Sequence, residues 1–272
     1  MLEILDEKLV FIALFIFIIH SIETLAYAVR LSGARARMIA SALSLFNILV
    51  MVSRLANMLQ QPFTGSLIDT APAINDLVFV EKQFRFLIGA STVGTVFGIL
   101  FLPTFIALFS RAIIFLSEER GSVPSLFKRI FSLQYIKRGI THLSLPKLTY
   151  LKNANIKDIP IRLFLMNLII TAIYTIGVLS ALYAALLTPE NSSTAIMASG
   201  LINGIATILL VIFVDPKVSV VADDVVNQQG NYHKLKSISL MMVTSRLLGT
   251  LLAQLLFVPG AEYIARFTQF FV

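Results

Sequence analysis

LVFIALFIFIIHSIETLAYAVR, residues 9–30, is the stretch that settles the architecture. It holds no proline and no glycine, and its charged residues are Glu23 and Arg30 alone. About 20 predominantly apolar residues make a helix long enough to cross the hydrocarbon core of a bilayer, so the stretch reads as a membrane-spanning helix. Its polar residues are not scattered. His20, Glu23, Tyr27 and Arg30 recur at spacings of three, four and three, which puts them on one helical face. Ahead of the run, Glu3, Asp6, Glu7 and Lys8 are net acidic. A secretory signal peptide has a positive leading region and a small-residue cleavage site, so the segment is expected to be a retained helix.

The same reading extends along the chain. Five further stretches, at roughly 39–60, 85–110, 161–187, 195–214 and 237–258, are long and apolar enough to span. The composition agrees: 57% of the 272 residues are hydrophobic and 14% charged, against about 45–50% and 25% in soluble domains. The mean hydropathy is +0.85. The expected fold is an all-α polytopic transmembrane bundle of about six spans. Residues 1–272 form one transmembrane domain, interrupted by a basic amphipathic cytoplasmic segment at about 117–160.

Charge between the spans orients them. Arg30, Arg35 and Arg37 follow the first span; Arg120, Lys128, Arg129, Lys137, Arg138, Lys147, Lys152 and Lys157 follow the third; Lys217, Lys234 and Lys236 follow the fifth. The alternate connections carry Asp69, Asp76, Glu81 and Glu190 with little base. Basic loops stay in the cytoplasm, so both termini are placed outside. The net charge of +7 thus points to anionic lipids of the inner leaflet and not to nucleic acid. Residues 122–140 mix Leu126, Phe127, Ile130, Phe131, Tyr135 and Ile136 with Lys128, Arg129, Lys137 and Arg138, a pattern suited to a helix on the inner surface or to a plain topology anchor.

Several function classes are excluded. There is no cysteine, hence no disulfide and no thiol nucleophile. The three histidines argue against a zinc site. No Gly-Lys pair occurs, so the chain has no phosphate-binding loop for ATP, and the H-E-x-x-H and G-x-S-x-G signatures are missing too. Neither a catalytic residue nor a metal or cofactor is expected. Asp223-Asp224 reads as a solvated helix start.

The informative positions are polar groups inside spans, each of which costs about 2.5–3.5 kcal/mol at a helix centre when charged. The second span puts Ser44, Asn47, Arg54, Asn57 and Gln61 on one stripe, and the sixth holds Arg246 near its middle. Asn167 and Asn203 add single amides to the fourth and fifth. These faces are expected to line a hydrophilic intramembrane cavity. Arg30, Arg54, Arg246, Asn47 and Asn57 are its candidate anion-binding residues, since guanidinium matches phosphate oxygens in bidentate geometry. Glu23, His20 and Asp215 are its charge partners or a proton relay. Counting along the helices places Arg246 near mid-membrane, Arg54 nearer the outer face and Arg30 at the inner mouth. The bland reading is that Glu23 pairs with Arg54 or Arg246 and ties helices together. Gly94 with Gly98, and Gly200 with Gly204, read as close-packing faces. Ser53-Arg54-Leu55 echoes Ser245-Arg246-Leu247, and Glu23 and Asp215 each precede one of these arginines by 31 residues, a pattern compatible with a parallel repeat.

The run HSIETLAYAVR at 20–30, SRLANM at 53–58, Gln61-Pro62 and TGSLID at 64–69 resemble the Amj family of bacterial lipid II flippases, the alternate to MurJ. The resemblance extends over the whole length in size and span pattern, with its specific part in about the first 70 residues; beyond them it rests on hydropathy and on Asp215-Pro216. It implies a multi-pass protein of the bacterial cytoplasmic membrane. The implied substrate is lipid II, undecaprenyl-pyrophosphate bearing the disaccharide-pentapeptide of peptidoglycan. An inside-negative potential would favour outward transfer of such an anion by about 2.3 kcal/mol per charge per 100 mV. The alternatives are a membrane-embedded phosphatase or transferase acting on a polyprenyl phosphate, and a non-transporting scaffold.

Overall fold

The computed structural model describes residues 6–70, 76–120, 122–130 and 160–271. Among these the chain is entirely helical: α1 (Glu7–Ala36), α2 (Ile39–Asp69), α3 (Asp76–Glu118), α4 (Val123–Ile130), α5 (Ile161–Leu187), α6 (Ser192–Leu209), α7 (Asp215–Val226) and α8 (Tyr232–Thr268). Six segments are long and apolar enough to cross a membrane, with α6 and α7 forming one of them. The six expected spans are thus present, but most are longer than the hydropathy windows. α3 has 43 residues, about 65 Å at 1.5 Å per residue, and so extends beyond a bilayer of about 40–45 Å. α2 runs through Pro62 and α8 through Pro259, where the sequence reading stopped. Proline is tolerated inside membrane helices because neighbouring groups re-satisfy the freed carbonyl.

The bundle is built in two halves of like construction. α1 packs most extensively on α3 and next on α2, while α5 packs most extensively on α8 and next on α6. In the first half Ser21 and Ser32 donate to the carbonyls of Gly94 (3.1 Å) and Ile106 (2.9 Å). In the second half Ser180 donates to the carbonyl of Phe257 (2.9 Å). A Cβ on Gly98 would lie 2.6 Å from Thr24, and one on Gly249 would lie 2.7 Å from the Leu168 carbonyl. Small residues thus bring both helix pairs close enough for these bonds, the usual mode of association in lipid. Gly200 and Gly204 do not act in this way, because a Cβ at either meets nothing within 4 Å. The parallel repeat is likewise replaced. The halves are three crossings each, so the second starts on the opposite side of the membrane from the first.

The halves join through α1, α3 and α8, whereas α2 and α6 stand at the periphery with large apolar side chains turned outward. Met51, Leu55 and Met58 on α2, and Met197, Leu201 and Ile208 on α6, are exposed. α1 by contrast is buried nearly all round from Ile19 to Ala34, as a helix in the centre of a bundle must be. Arg37, at φ 57°, ends α1, and its neighbour Met38 donates to the Gly33 carbonyl at 3.0 Å, turning the chain at once into α2.

Between α6 and α7 the helix widens to a π turn over Leu210–Val214. Pro216 lacks an N–H and crowds the carbonyl four residues back, which accounts for the wider turn and rotates Asp215 into the bundle. Asp223 and Asp224 end α7 instead of starting a helix, and the Asp224 carbonyl accepts from Gln229 and Gly230. Of the basic amphipathic segment, α4 is described, and its Leu126 is buried against Ile113 and Leu116 of α3. Residues 131–159 lie outside the described residues.

Candidate functional site

The polar face of α1 meets four other helices, α2, α5, α7 and α8, in the middle of the bundle. Glu23 accepts from Arg246 Nη2 on α8 and, through its other oxygen, from Ser53 Oγ on α2 at 2.9 Å. Two turns further along α1, Arg30 Nη2 donates to Asp215 Oδ1 at 2.6 Å, and its guanidinium lies 4.5 Å from the Phe46 ring centroid. Between these pairs Tyr27 donates to Asn167 Oδ1 (3.2 Å), whose amide donates in turn to the Met242 carbonyl (3.1 Å) and to Ser245 Oγ (2.7 Å). That chain fixes α5 against α8 beside Arg246. Burying an ion pair costs desolvation that only good geometry and further hydrogen bonds offset; the Glu23–Arg246 pair has such a bond from Ser53, whereas the Arg30–Asp215 pair has the Phe46 ring against its guanidinium.

Arg54 differs from the other two arginines. Its Nη1 donates to Thr207 Oγ1 at 3.1 Å, and among the described residues no carboxylate lies within ion-pair distance of it. The bond crosses from α2 to α6, two helices that otherwise barely touch. A small cavity of about 50 Å³ is lined by Glu23, Tyr27, Arg54, Tyr174, Asp215 and Arg246 among others. The lining holds two cations, Arg54 and Arg246, and two carboxylates, Glu23 and Asp215; Arg30 neutralises Asp215 from beside the cavity, so Arg54 is the positive charge left over. The paired arginines also keep donors in reserve. Arg30 Nε and Nη1 and Arg246 Nε are buried without a hydrogen-bond partner among the described residues. Unmatched guanidinium N–H groups in a buried, positively charged site are suited to the oxygens of a phosphate.

A family model described as Amj, alternate to MurJ, matches residues 15–268. A protein of Bacillus subtilis (strain 168) named Lipid II flippase Amj is 60% identical over 270 residues, which is 99% of this chain and 100% of that protein. The chain belongs to the Amj family. No solved structure matches it.

In this member of the Amj family the residues expected in a single cavity fall, among the described residues, into more than one space, and three spaces bear on the site. His20 does not reach the arginines' cavity. It lies buried in a neighbouring pocket of about 30 Å³ with Asn57, Gln60, Ser91 and Tyr174, and its Nδ1 has no hydrogen-bond partner among the described residues. Asn57 is held there by the Gln60 amide at 3.2 Å. Tyr174 lines both spaces and so stands between them. The third space, of about 850 Å³, opens at the far ends of α2, α5 and α6. Asn47 is exposed on α2 and lines none of the three. Only a narrow face of α2 is covered, and Asn47 falls off it. Nor do Arg54 and Arg246 stand at different depths, since both line the cavity of Glu23. Thr207, Tyr174 and Phe46 were missed from sequence. Thr207 and Tyr174 had the weak signal of a polar group in an apolar span; Phe46 had none.

Proposed function

We propose that this chain translocates lipid II from the inner to the outer leaflet of the cytoplasmic membrane, with the diphosphate carried past Arg54. The relative of B. subtilis bears the name of that activity, and a flippase is a transporter, not an enzyme. The six membrane-length segments and the family make this chain a multi-pass protein of the cytoplasmic membrane. The observation that carries the assignment is Arg54 itself: a cation on the wall of a buried cavity, held by a neutral hydroxyl.

The geometry suggests how passage occurs. A cavity of about 50 Å³ holds one or two waters at about 30 Å³ each, so a diphospho-sugar does not fit in the state described. The Arg54–Thr207 bond closes the space between α2 and α6. A diphosphate oxygen competes with the Thr207 hydroxyl for the guanidinium, because a charge-assisted bond is roughly twice as strong as a neutral one. Exchange of partners releases α6 from α2 and opens the bundle sideways, letting the polyprenyl tail stay in lipid while the head group moves between the helices. The reserve donors of Arg30 and Arg246 take the remaining oxygens. Each contact must be weak enough to let go.

Orientation follows from charge. Arg35, Lys234 and Lys236 lie at the Arg30 end of the bundle and face anionic head groups of the inner leaflet. Outward movement of the diphosphate is then favoured by the membrane potential, at about 2.3 kcal/mol per charge per 100 mV. The test is reconstitution of the purified chain into liposomes with fluorescent lipid II. Exchange between leaflets, read by an impermeant quencher, is expected to depend on the protein. Exchange no faster than in protein-free liposomes would refute the proposal.

A further inference from the structure

From the space of about 850 Å³ at the ends of α2, α5 and α6 we infer a binding subsite for the disaccharide of the head group, distinct from the arginines that take its diphosphate. The inference rests on the flipping reading above. Its size falls among pockets that hold small molecules, about 300–1,000 Å³. Its chemistry is the reverse of the inner cavity. Among the described residues that line it there is no lysine or arginine, and the polar ones are Gln61, Ser66 and Asp69 on α2, with Ser192 and Ser199 on α6. These are an amide, hydroxyls and a carboxylate, which accept and donate to sugar hydroxyls and acetamides. Between them Pro62, Leu182 and Leu186 offer apolar surface to the C–H faces of the rings. A diphosphate finds no cation here and meets a carboxylate.

The placement along the axis matches the order of groups in the substrate. On α2, Gln61 and Ser66 lie about 10 and 18 Å beyond Arg54 at 1.5 Å per residue. On α6, Ser199 and Ser192 lie about 12 and 22 Å from Thr207 by the same count. Both walls therefore set this space one group-length outward of the Arg54–Thr207 bond. With the diphosphate still on Arg54, sugars attached to its outer side lie in the vestibule. The missing cation then has a consequence: the diphosphate is not retained there, and the head group leaves once Arg54 lets go.

Gly65 supplies the test. It lines the vestibule, and a Cβ added to it meets nothing within 4 Å, so Gly65→Leu fills the space without a clash while removing a glycine from a helix. Gly89→Leu on α3 also places its Cβ in open space, about three turns from Leu77, the α3 residue that lines the vestibule, and is the control. The probe is the water-soluble disaccharide-pentapeptide, free of lipid and diphosphate, titrated onto the purified full chain in nanodiscs by calorimetry. Saturable binding is expected for the parent chain and for Gly89→Leu, at least tenfold weaker for Gly65→Leu, and undiminished by excess inorganic diphosphate. No saturable binding, equal binding by Gly65→Leu, or displacement by diphosphate would each overturn the subsite. Because no transport is measured, the two readings fail separately. A chain that binds the fragment but does not move lipid II keeps the subsite and loses the flippase. One that moves lipid II without binding the fragment does the opposite.

Discussion

Arg246 of α8 donates through Nη2 to Oε2 of Glu23 on α1, joining the two halves of the bundle inside the membrane. The partner of Glu23 is thus not Arg54, although Arg54 lines the same cavity. That choice divides the three arginines into two that are neutralised and one that is not.

Breaking the pair is expected to cost stability before it costs chemistry. Arg246→Ala leaves the Glu23 carboxylate without its buried partner, a change of about 3–5 kcal/mol. It should lower both the thermal midpoint in detergent and the amount of inserted protein. Glu23→Gln with Arg246→Gln removes both charges and should recover most of the protein level. Transport per inserted molecule should stay low in the double variant, because the reserve donor of Arg246 is gone. Full transport there would make Arg246 a staple and nothing more.

Arg30 and Asp215 form the second pair, with Phe46 against the guanidinium. Arg30→Lys keeps the charge but loses the planar fork and the flat face for Phe46. Partial function with a modest drop in midpoint is expected, and Asp215→Asn should be the more damaging change because it strands a buried cation. Equal midpoints for all three chains would show that the pair contributes nothing to the fold.

The glycines separate sharply. At Gly98, valine would collide with Thr24, so Gly98→Val should force α1 from α3 at about 1–3 kcal/mol or more and deplete folded protein. Gly200→Ala enters open space and should be neutral or raise the midpoint, since alanine gains up to about 1 kcal/mol over glycine in a helix. Comparable losses from both substitutions would contradict the packing described.

These contrasts mark what was legible in the sequence. Hydropathy located all six crossings, because a span's composition is dictated by lipid and not by its neighbours. The spacing of His20, Glu23, Tyr27 and Arg30 placed them on one face, since helical periodicity is local. Which arginine takes Glu23, and that Asp215 takes Arg30, depends on helix order in space, which no local pattern encodes. The same holds for Gly94 with Gly98 and Gly200 with Gly204: the spacing is the same, yet one pair meets a helix and the other meets nothing. Asn47 was assigned to the cavity by its stripe on α2, but the covered face of that helix is narrower than the stripe.

Orientation is open to a simple check, because the chain has no cysteine to interfere. Single cysteines at the exposed positions Lys234 and Glu190 should differ, with Glu190 labelled by an impermeant maleimide on intact cells and Lys234 only after permeabilisation. The opposite pattern would invert the direction of transport.

The central claim rests on Arg54, and the most direct measurement is lipid II exchange between leaflets per reconstituted molecule for Arg54→Ala and Arg54→Lys beside the parent chain. Arg54 is only partly buried and has no carboxylate partner among the described residues, so its loss should leave protein level and thermal midpoint nearly unchanged. Exchange should fall at least a hundredfold in Arg54→Ala, about 2.7 kcal/mol of lost interaction, and partly recover in Arg54→Lys. Exchange by Arg54→Ala within twofold of the parent chain would contradict the account.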